Sequence, residues 1–401
     1  MPSTFSWVDF SEDDRQRMME ILHLFRDRET REELGVGTVR DAFSEILFPG
    51  TSTLHTRAKY MLFIPWIFLK LEGNRTPSEK MEERSRSYEI RLIRTLLEAR
   101  ETDGVIGKVA KDSLKILPST MYWSGLGRWG IRRFEGTKYQ YFNAIKSFYS
   151  SKKRLIRSDD DEYVTQGGYN WDPHIVPIPK SFPDKASLDL DKTEADYLLH
   201  RISTSCSESL LSFLVNKTKP VDVDFIWFHP EFGSFREKHK KIIKHARNFS
   251  DTFYGASLLY NLMLAQEAKM EEKILEYTGK LNDWVLLIKN RFGEIRAWDL
   301  KEFWNIVYYE NSGINRLTYR FVENWIDIVR SFSDLSKLAN DEGARLLIKK
   351  REVRLKGKRS RLKNPRMLAQ WLGASGAFAF SFRWQIARQI IKDIFKGMRK
   401  R

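Results

Sequence analysis

Of its 401 residues only Cys206 is a cysteine, so the chain holds no internal disulfide and no cysteine-rich zinc site. Sparing use of cysteine fits a reducing compartment, and a cytoplasmic location is expected. Long apolar runs are also missing. The longest are Tyr60–Leu69, broken by Pro65, and Leu372–Phe382, interrupted by Gly373, Ser375, Gly376 and Ser381. A bilayer span needs about 20 apolar residues, so no membrane partner is expected. The opening MPSTFSWVDFSEDD lacks the basic-then-apolar pattern of a signal peptide. There is no internal repeat or low-complexity tract. The seven histidines are scattered, and neither HExxH nor a Walker glycine–lysine pattern occurs. No metal and no cofactor is therefore expected.

What is present is a core and a great deal of positive charge. An apolar content of 42%, with 13% aromatics, suffices to fold a globular protein of two or three domains. The net charge is +16, and it is localised. Residues 105–157 carry twelve Lys/Arg against Asp112 and Glu135; residues 344–366 carry eleven against Glu352. The two stretches together exceed the total, leaving the remaining chain slightly acidic. Concentration of that kind is the footprint of a polyanion partner, a nucleic acid with DNA as the first expectation.

Helical periodicity dominates. Ser11 before three acids starts a helix carrying Met18, Ile21, Leu22 and Phe25. Leu34–Leu71 holds Thr38–Leu47, a stop at Pro49-Gly50, and an apolar helix kinked or ended at Pro65. Thr76-Pro77-Ser78-Glu79 opens a helix reaching about Arg100. Residues 158–192, with Gly167-Gly168 and four prolines, predict a linker or extended arm. Asp191 with Glu194 restarts helix, and helical segments then follow over 193–204, 207–216, 234–246, 250–278, 280–291, 298–311, 315–332 and 381–398. Val221–Phe228 alternates and predicts one short strand.

The stretch 105–142 orders a helix ending near Lys115, a turn at Pro118, a second helix capped by Ser119, and a Gly130-Ile131 exit into Arg132-Arg133. That is the order of a winged helix-turn-helix, whose second helix enters the major groove while the wing touches backbone. Lys108, Lys111, Lys115, Arg128, Arg132, Arg133 and Lys138 would meet the phosphates. In 344–366, Lys349, Lys350, Arg351, Arg354, Lys356, Lys358, Arg359, Arg361 and Lys363 would do the same, making binding steeply salt-dependent. The alternative in each case is an ordinary solvated basic surface. Thr51, Ser52, Thr53, His55 and Arg57 around the Pro-Gly turn form a possible anion site, against a plain turn and helix cap.

Catalytic signals are thin. His239-Lys240-Lys241 fits a His-x-Lys pattern once only. Asp222 and Asp224, with Glu231, would need a sheet to act as a metal-dependent nuclease. Several longer blocks carry a resemblance: SWVDFS at Ser6–Ser11, Arg40–Trp66, Gly104–Ile131, Ala246–Ala265, and REVRLKGKRSRLKN with WLGASGAFAFSFRW towards the C-terminus. Over nearly its whole length the chain resembles a prokaryotic family, domain of unknown function 6361. The resemblance implies a neighbour of helicases and nucleases in mobile or antiviral defence islands, and it supplies no catalytic residues.

The expectation is thus a mainly α protein in three parts. Residues 1–157 form an N-terminal helical domain with the winged helix-turn-helix-like unit, 158–192 a linker, and 193–401 a C-terminal helical domain. The expected function is a nucleic-acid-binding accessory subunit of an antiviral defence system, acting with a helicase or nuclease. The alternatives are a helical scaffold that docks a protein, and a metal-dependent nuclease.

Overall fold

The computed structural model describes residues 33–101, 103–155, 169–217, 219–331 and 334–400. The expected Ser11 helix and the 159–168 acidic and glycine stretch lie outside them. Among the described residues the protein is mainly helical, and regular strands are replaced by one isolated antiparallel bridge, Arg132 with Trp171. The α-helices are α1 (Gly37–Leu47), α2 (Tyr60–Gly73), α3 (Met81–Glu98), α4 (Pro118–Arg128), α5 (Lys138–Leu155), α6 (Lys192–Ser205) and α7 (Leu210–Lys217). They continue as α8 (Glu237–Glu267), α9 (Glu271–Asn290), α10 (Phe292–Arg296), α11 (Leu300–Glu310), α12 (Arg316–Ser331), α13 (Glu342–Lys356), α14 (Pro365–Leu368) and α15 (Trp384–Met398). No helix of the described residues is long and apolar enough to cross a membrane.

The chain divides into two compact units, each built from separated stretches: residues 1–42 with 243–380, and residues 43–242 with 381–401. In the second unit α2 is the centre. Every residue from Tyr60 to Phe68 is buried, Pro65 included. The helix therefore runs through Pro65 instead of stopping there: enclosure on all sides outweighs the ~3 kcal/mol a helix proline costs. Residues 169–191, expected as part of a linker, are packed against α2. Phe182 stacks on Phe63 at 5.6 Å and Trp171 on Phe68 at 5.6 Å. Trp66 donates its indole N–H to the Val176 carbonyl at 2.8 Å. Trp171, just before Pro173, and Phe182, between Pro179 and Pro183, decided this, since aromatic rings have no reason to stay in water. The Asp191–Glu194 capping box forms as expected.

The helix-turn-helix order is not what folds. Residues 105–117 form a loop with a single 3-10 turn at Lys111–Ser113 where a first helix was expected. Ser119 is not the cap of α4 but lies inside its first turn, donating its N–H and hydroxyl to Glu89 at 2.8 and 2.7 Å. Burial pushes the Glu89 carboxyl above its ordinary range. A buried acid thus fills the helix N-terminus where a recognition helix would meet phosphate. Lys138–Phe142, expected as the wing or as what packs beneath it, open helix α5. Val221–Phe228 is no strand either; it ends in a 3-10 turn at Ile226–Phe228.

In the first unit, two expected helices merge into α8, because nothing between 246 and 250 breaks it. The helix stops where Lys269 turns left-handed, at φ 53°. Gly255 within α8 leaves room for the Trp284 ring of α9: a Cβ there would lie 2.3 Å from it. Phe321, Val322, Trp325, Ile326 and Val329 form the buried stripe of α12. Trp325 donates to the Thr252 carbonyl at 2.9 Å, and Trp284 to that of Asp251 at 2.7 Å.

Candidate nucleic-acid interface

In the first unit the basic stretch folds as α13 and the turns after it. Asp341 caps the helix by accepting the Ala344 N–H at 2.7 Å. Arg354 and Lys356 sit in its last turn, where the carbonyl end of the dipole favours cations. Gly357, at φ 55°, lets the chain leave.

The cations of this stretch fall into two classes. Arg351 is buried: its guanidinium donates to the Leu34 carbonyl at 2.7 Å, the Gly35 carbonyl at 3.0 Å and the Thr318 hydroxyl at 2.9 Å. It also lies over the Phe321 ring at 4.9 Å. Lys356 pairs with Glu33 and donates to the Tyr260 hydroxyl at 2.9 Å. Arg361 reaches Glu33 at 3.4 Å and the Ser375 hydroxyl at 2.6 Å. Between them sits Glu352, fully buried, accepting from Tyr260, Ser360 and the Arg361 N–H. Arg351, Lys356 and Arg361 are therefore committed to holding the unit together, not to a phosphate.

Lys349, Lys350, Arg354, Lys358, Arg359, Lys363 and Arg366 are exposed. Among the described residues none of these seven has a carboxylate within ion-pair distance. Lys349, Lys350 and Arg354 lie on the arc of α13 opposite the buried Ala344, Ile348, Arg351 and Glu352. The 3-10 turn at Gly357–Arg359 and the start of α14 extend the same charge along the chain.

The second unit treats its basic stretch differently. Lys108, Lys111 and Lys115 are exposed on the loop before α4. Arg128 pairs with Glu45 at 3.3 Å and Arg133 with Asp172 at 3.5 Å. Arg132 lies over the Trp123 ring at 4.8 Å and donates to the Trp123 carbonyl at 3.2 Å. Lys138 donates to the hydroxyls of Ser119 at 3.1 Å and Thr120 at 2.9 Å, and desolvation lowers its pKa. Three of the seven expected contacts are thus presented without an acidic partner.

The turn at Thr51, Ser52, Thr53, His55 and Arg57 does not converge on an anion. Thr51 donates its hydroxyl to the Phe48 carbonyl at 2.6 Å, Ser52 accepts the Leu54 N–H at 3.3 Å, and Thr53 points into solvent. Helix α2 starts beyond them, with no side-chain cap. His55 stacks on Tyr122 at 3.8 Å and faces the Met121 carbonyl at 3.0 Å; burial brings its pKa down to about 4. The Arg57 guanidinium is taken up by Asp393 at 3.0 Å and Asp189 at 3.5 Å. Carboxylates from distant sequence have filled the place an anion would take.

The remaining chemistry-bearing residues also have structural partners. His239 is buried against the Glu208 carbonyl at 3.1 Å. Asp222 pairs with Arg388, and the Asp224 carbonyl accepts from Gln385 at 2.8 Å. Among the described residues no group of three or more His, Cys, Asp or Glu is arranged to hold a metal ion. Periodicity passed over one exposed ring, Tyr309 at the end of α11. Its signal was Tyr309 falling off the buried stripe of Phe303, Trp304 and Val307.

No curated protein and no solved structure matches the chain. A family model described as a family of unknown function, DUF6361, matches residues 2–396, and the chain belongs to that family.

Proposed function

We propose that the protein binds nucleic acid through the exposed cations of α13 and the turns that follow it. In this reading it serves as an accessory subunit to a helicase or nuclease in antiviral defence, as the family resemblance implies. One observation carries the reading: seven exposed cations within residues 349–366 lack any acidic partner among the described residues, although Arg351, Lys356 and Arg361 between them are fully used. A merely solvated surface of this density would be expected to interleave acids, as i,i+4 pairs do on ordinary helices. Lys108, Lys111 and Lys115 on the second unit would make a separate contact of their own.

The experiment is a salt series. Lys349, Lys350, Arg354, Lys358 and Arg359 are replaced together by Gln, and binding to labelled oligonucleotides is followed by anisotropy. Each phosphate contact contributes about −0.9 to the slope of log K against log salt for duplex, and about −0.7 for single strands. The variant should lose affinity and several units of slope while unfolding at the same urea concentration. Unchanged affinity and slope would remove this face as the contact. A second reading, a helical scaffold for a protein partner, is favoured by Leu275 and Leu286, exposed on one stripe of α9 about three turns apart.

A further inference from the structure

The exposed leucines of α9 belong to a longer pattern. Glu272, Leu275, Gly279, Asn282, Leu286 and Lys289 are spaced three, four, three, four and three residues apart. All six are exposed, Leu275 at 75% and Leu286 at 59%. That spacing is the seam of a coiled coil, which turns one stripe of a helix toward a partner helix. Tyr277, Trp284 and Ile288, buried in the unit's core, lie on the other side of α9. The seam itself is left to solvent. Gly279 fits the same pattern, because glycine in mid-helix weakens it relative to alanine. A Cβ at 279 would meet no atom within 4 Å, whereas Gly255 makes room for Trp284. Nothing among the described residues calls for glycine at 279; a helix brought close from outside would.

The seam is also complementary to itself. A second α9 laid antiparallel on the first, with the twofold axis between residues 280 and 281, brings Leu275 onto the partner's Leu286. Gly279 then meets Asn282, and Glu272 meets Lys289. Each contact occurs twice, as a twofold interface requires. Neither Glu272 nor Lys289 has an ion pair among the described residues, although Asp334 feels the Lys289 charge. Glycine opposite asparagine lets the two axes approach, and a lone polar layer in a seam fixes register. A parallel pair in register would instead set Glu272 on Glu272 and Lys289 on Lys289, like charges at both ends. We infer that the chain pairs with a second copy of itself through this antiparallel α9 seam. Two leucines a side make it a weak dimer, formed as concentration rises. It needs no nucleic acid, so it is decided separately from the α13 contact.

The test is sedimentation equilibrium of the full-length protein, cleared of nucleic acid by nuclease, over a concentration series. A monomer–dimer equilibrium is expected. Lys289→Glu puts like charges across the seam twice and should weaken the dimer roughly 10- to 30-fold at low salt. Adding Glu272→Lys to that variant should restore it, with helical circular dichroism unchanged in both. Cysteines read the register. A mixture of Leu275→Cys and Leu286→Cys proteins should give a disulfide-linked dimer under mild oxidation, and neither variant alone should, since each position lies far from its own copy across the axis. The native Cys206 is buried and stays out of the reaction. Protein that remains monomeric at every concentration overturns the inference. So does a dimer that Lys289→Glu leaves unchanged, or a crosslink that either cysteine variant forms alone. A monomer whose α9 stripe binds a different protein overturns it too, in favour of the scaffold reading.

Discussion

Arg57 Nε lies 3.0 Å from both carboxylate oxygens of Asp393, a residue more than three hundred positions further along the chain. The Ala58 N–H and the Gln389 amide complete the carboxylate's shell at 2.9 and 2.8 Å. Burial raises the pKa of Asp393, against the pull of Arg57. Removing one partner strands the other charge. Asp393→Leu should therefore cost about 3–5 kcal/mol of unfolding free energy. Arg57→Met combined with Asp393→Leu should cost clearly less. Urea unfolding of both variants checks this; a double variant at least as unstable as the single would show that packing, not the stranded charge, sets the loss.

His55 links stability to pH. The unfolded chain takes up its proton near 6.5 and the folded one near 4, because burial disfavours the imidazolium. Between those values the unfolded state binds more protons, so this group's contribution falls as pH drops from about 6.5 to about 4. The loss is about 3 kcal/mol at most. Unfolding free energies at pH 7 and pH 4.5 should differ less in His55→Gln than in the wild type. An equal difference in both would exclude His55 as the source.

Gly125 in α4 separates propensity from packing. Alanine favours an isolated helix by about 1 kcal/mol. A Cβ at 125 would lie 2.4 Å from the Gly50 carbonyl oxygen and 3.0 Å from His55 and Met61. Gly125→Ala should therefore destabilise the protein by about 1–3 kcal/mol. A rise in the melting temperature would mean that the Pro49-Gly50 turn yields.

Arg351 and Lys350 are neighbours in sequence with opposite expected phenotypes. Arg351→Met removes donors from three acceptors, two of them buried, and should cost about 2–4 kcal/mol. Lys350→Met should leave stability within about 0.5 kcal/mol and weaken oligonucleotide binding. Thermal unfolding and anisotropy on the two variants read both quantities. The same phenotype in both would mean that the division into internal and external cations is wrong.

How far the sequence could be read follows from what each signal depends on. Helix content, the Asp191–Glu194 cap, the lack of an apolar run of about 20 residues and the two basic stretches are local or compositional, and period and charge carry them directly. The helix-turn-helix order misled because it rests on spacing alone. Whether 105–115 coils depends on Ile106, Leu117 and their neighbours finding places against other helices, and spacing is blind to that. Gly125 and Gly127 sit within α4, against helix propensity, because the Gly50 carbonyl and the Arg132 guanidinium press against it there.

Charge gives the clearest division. That residues 344–366 are basic was fixed by composition. Which of those cations face outward was fixed by Glu33, Thr318 and Tyr260, residues far away in sequence that claim Arg351, Lys356 and Arg361. Likewise only folding brought Asp393 to Arg57 and removed the anion site. A charge in water costs nothing to leave unpaired, but a buried one must find a partner, and only the tertiary structure decides which charges are buried.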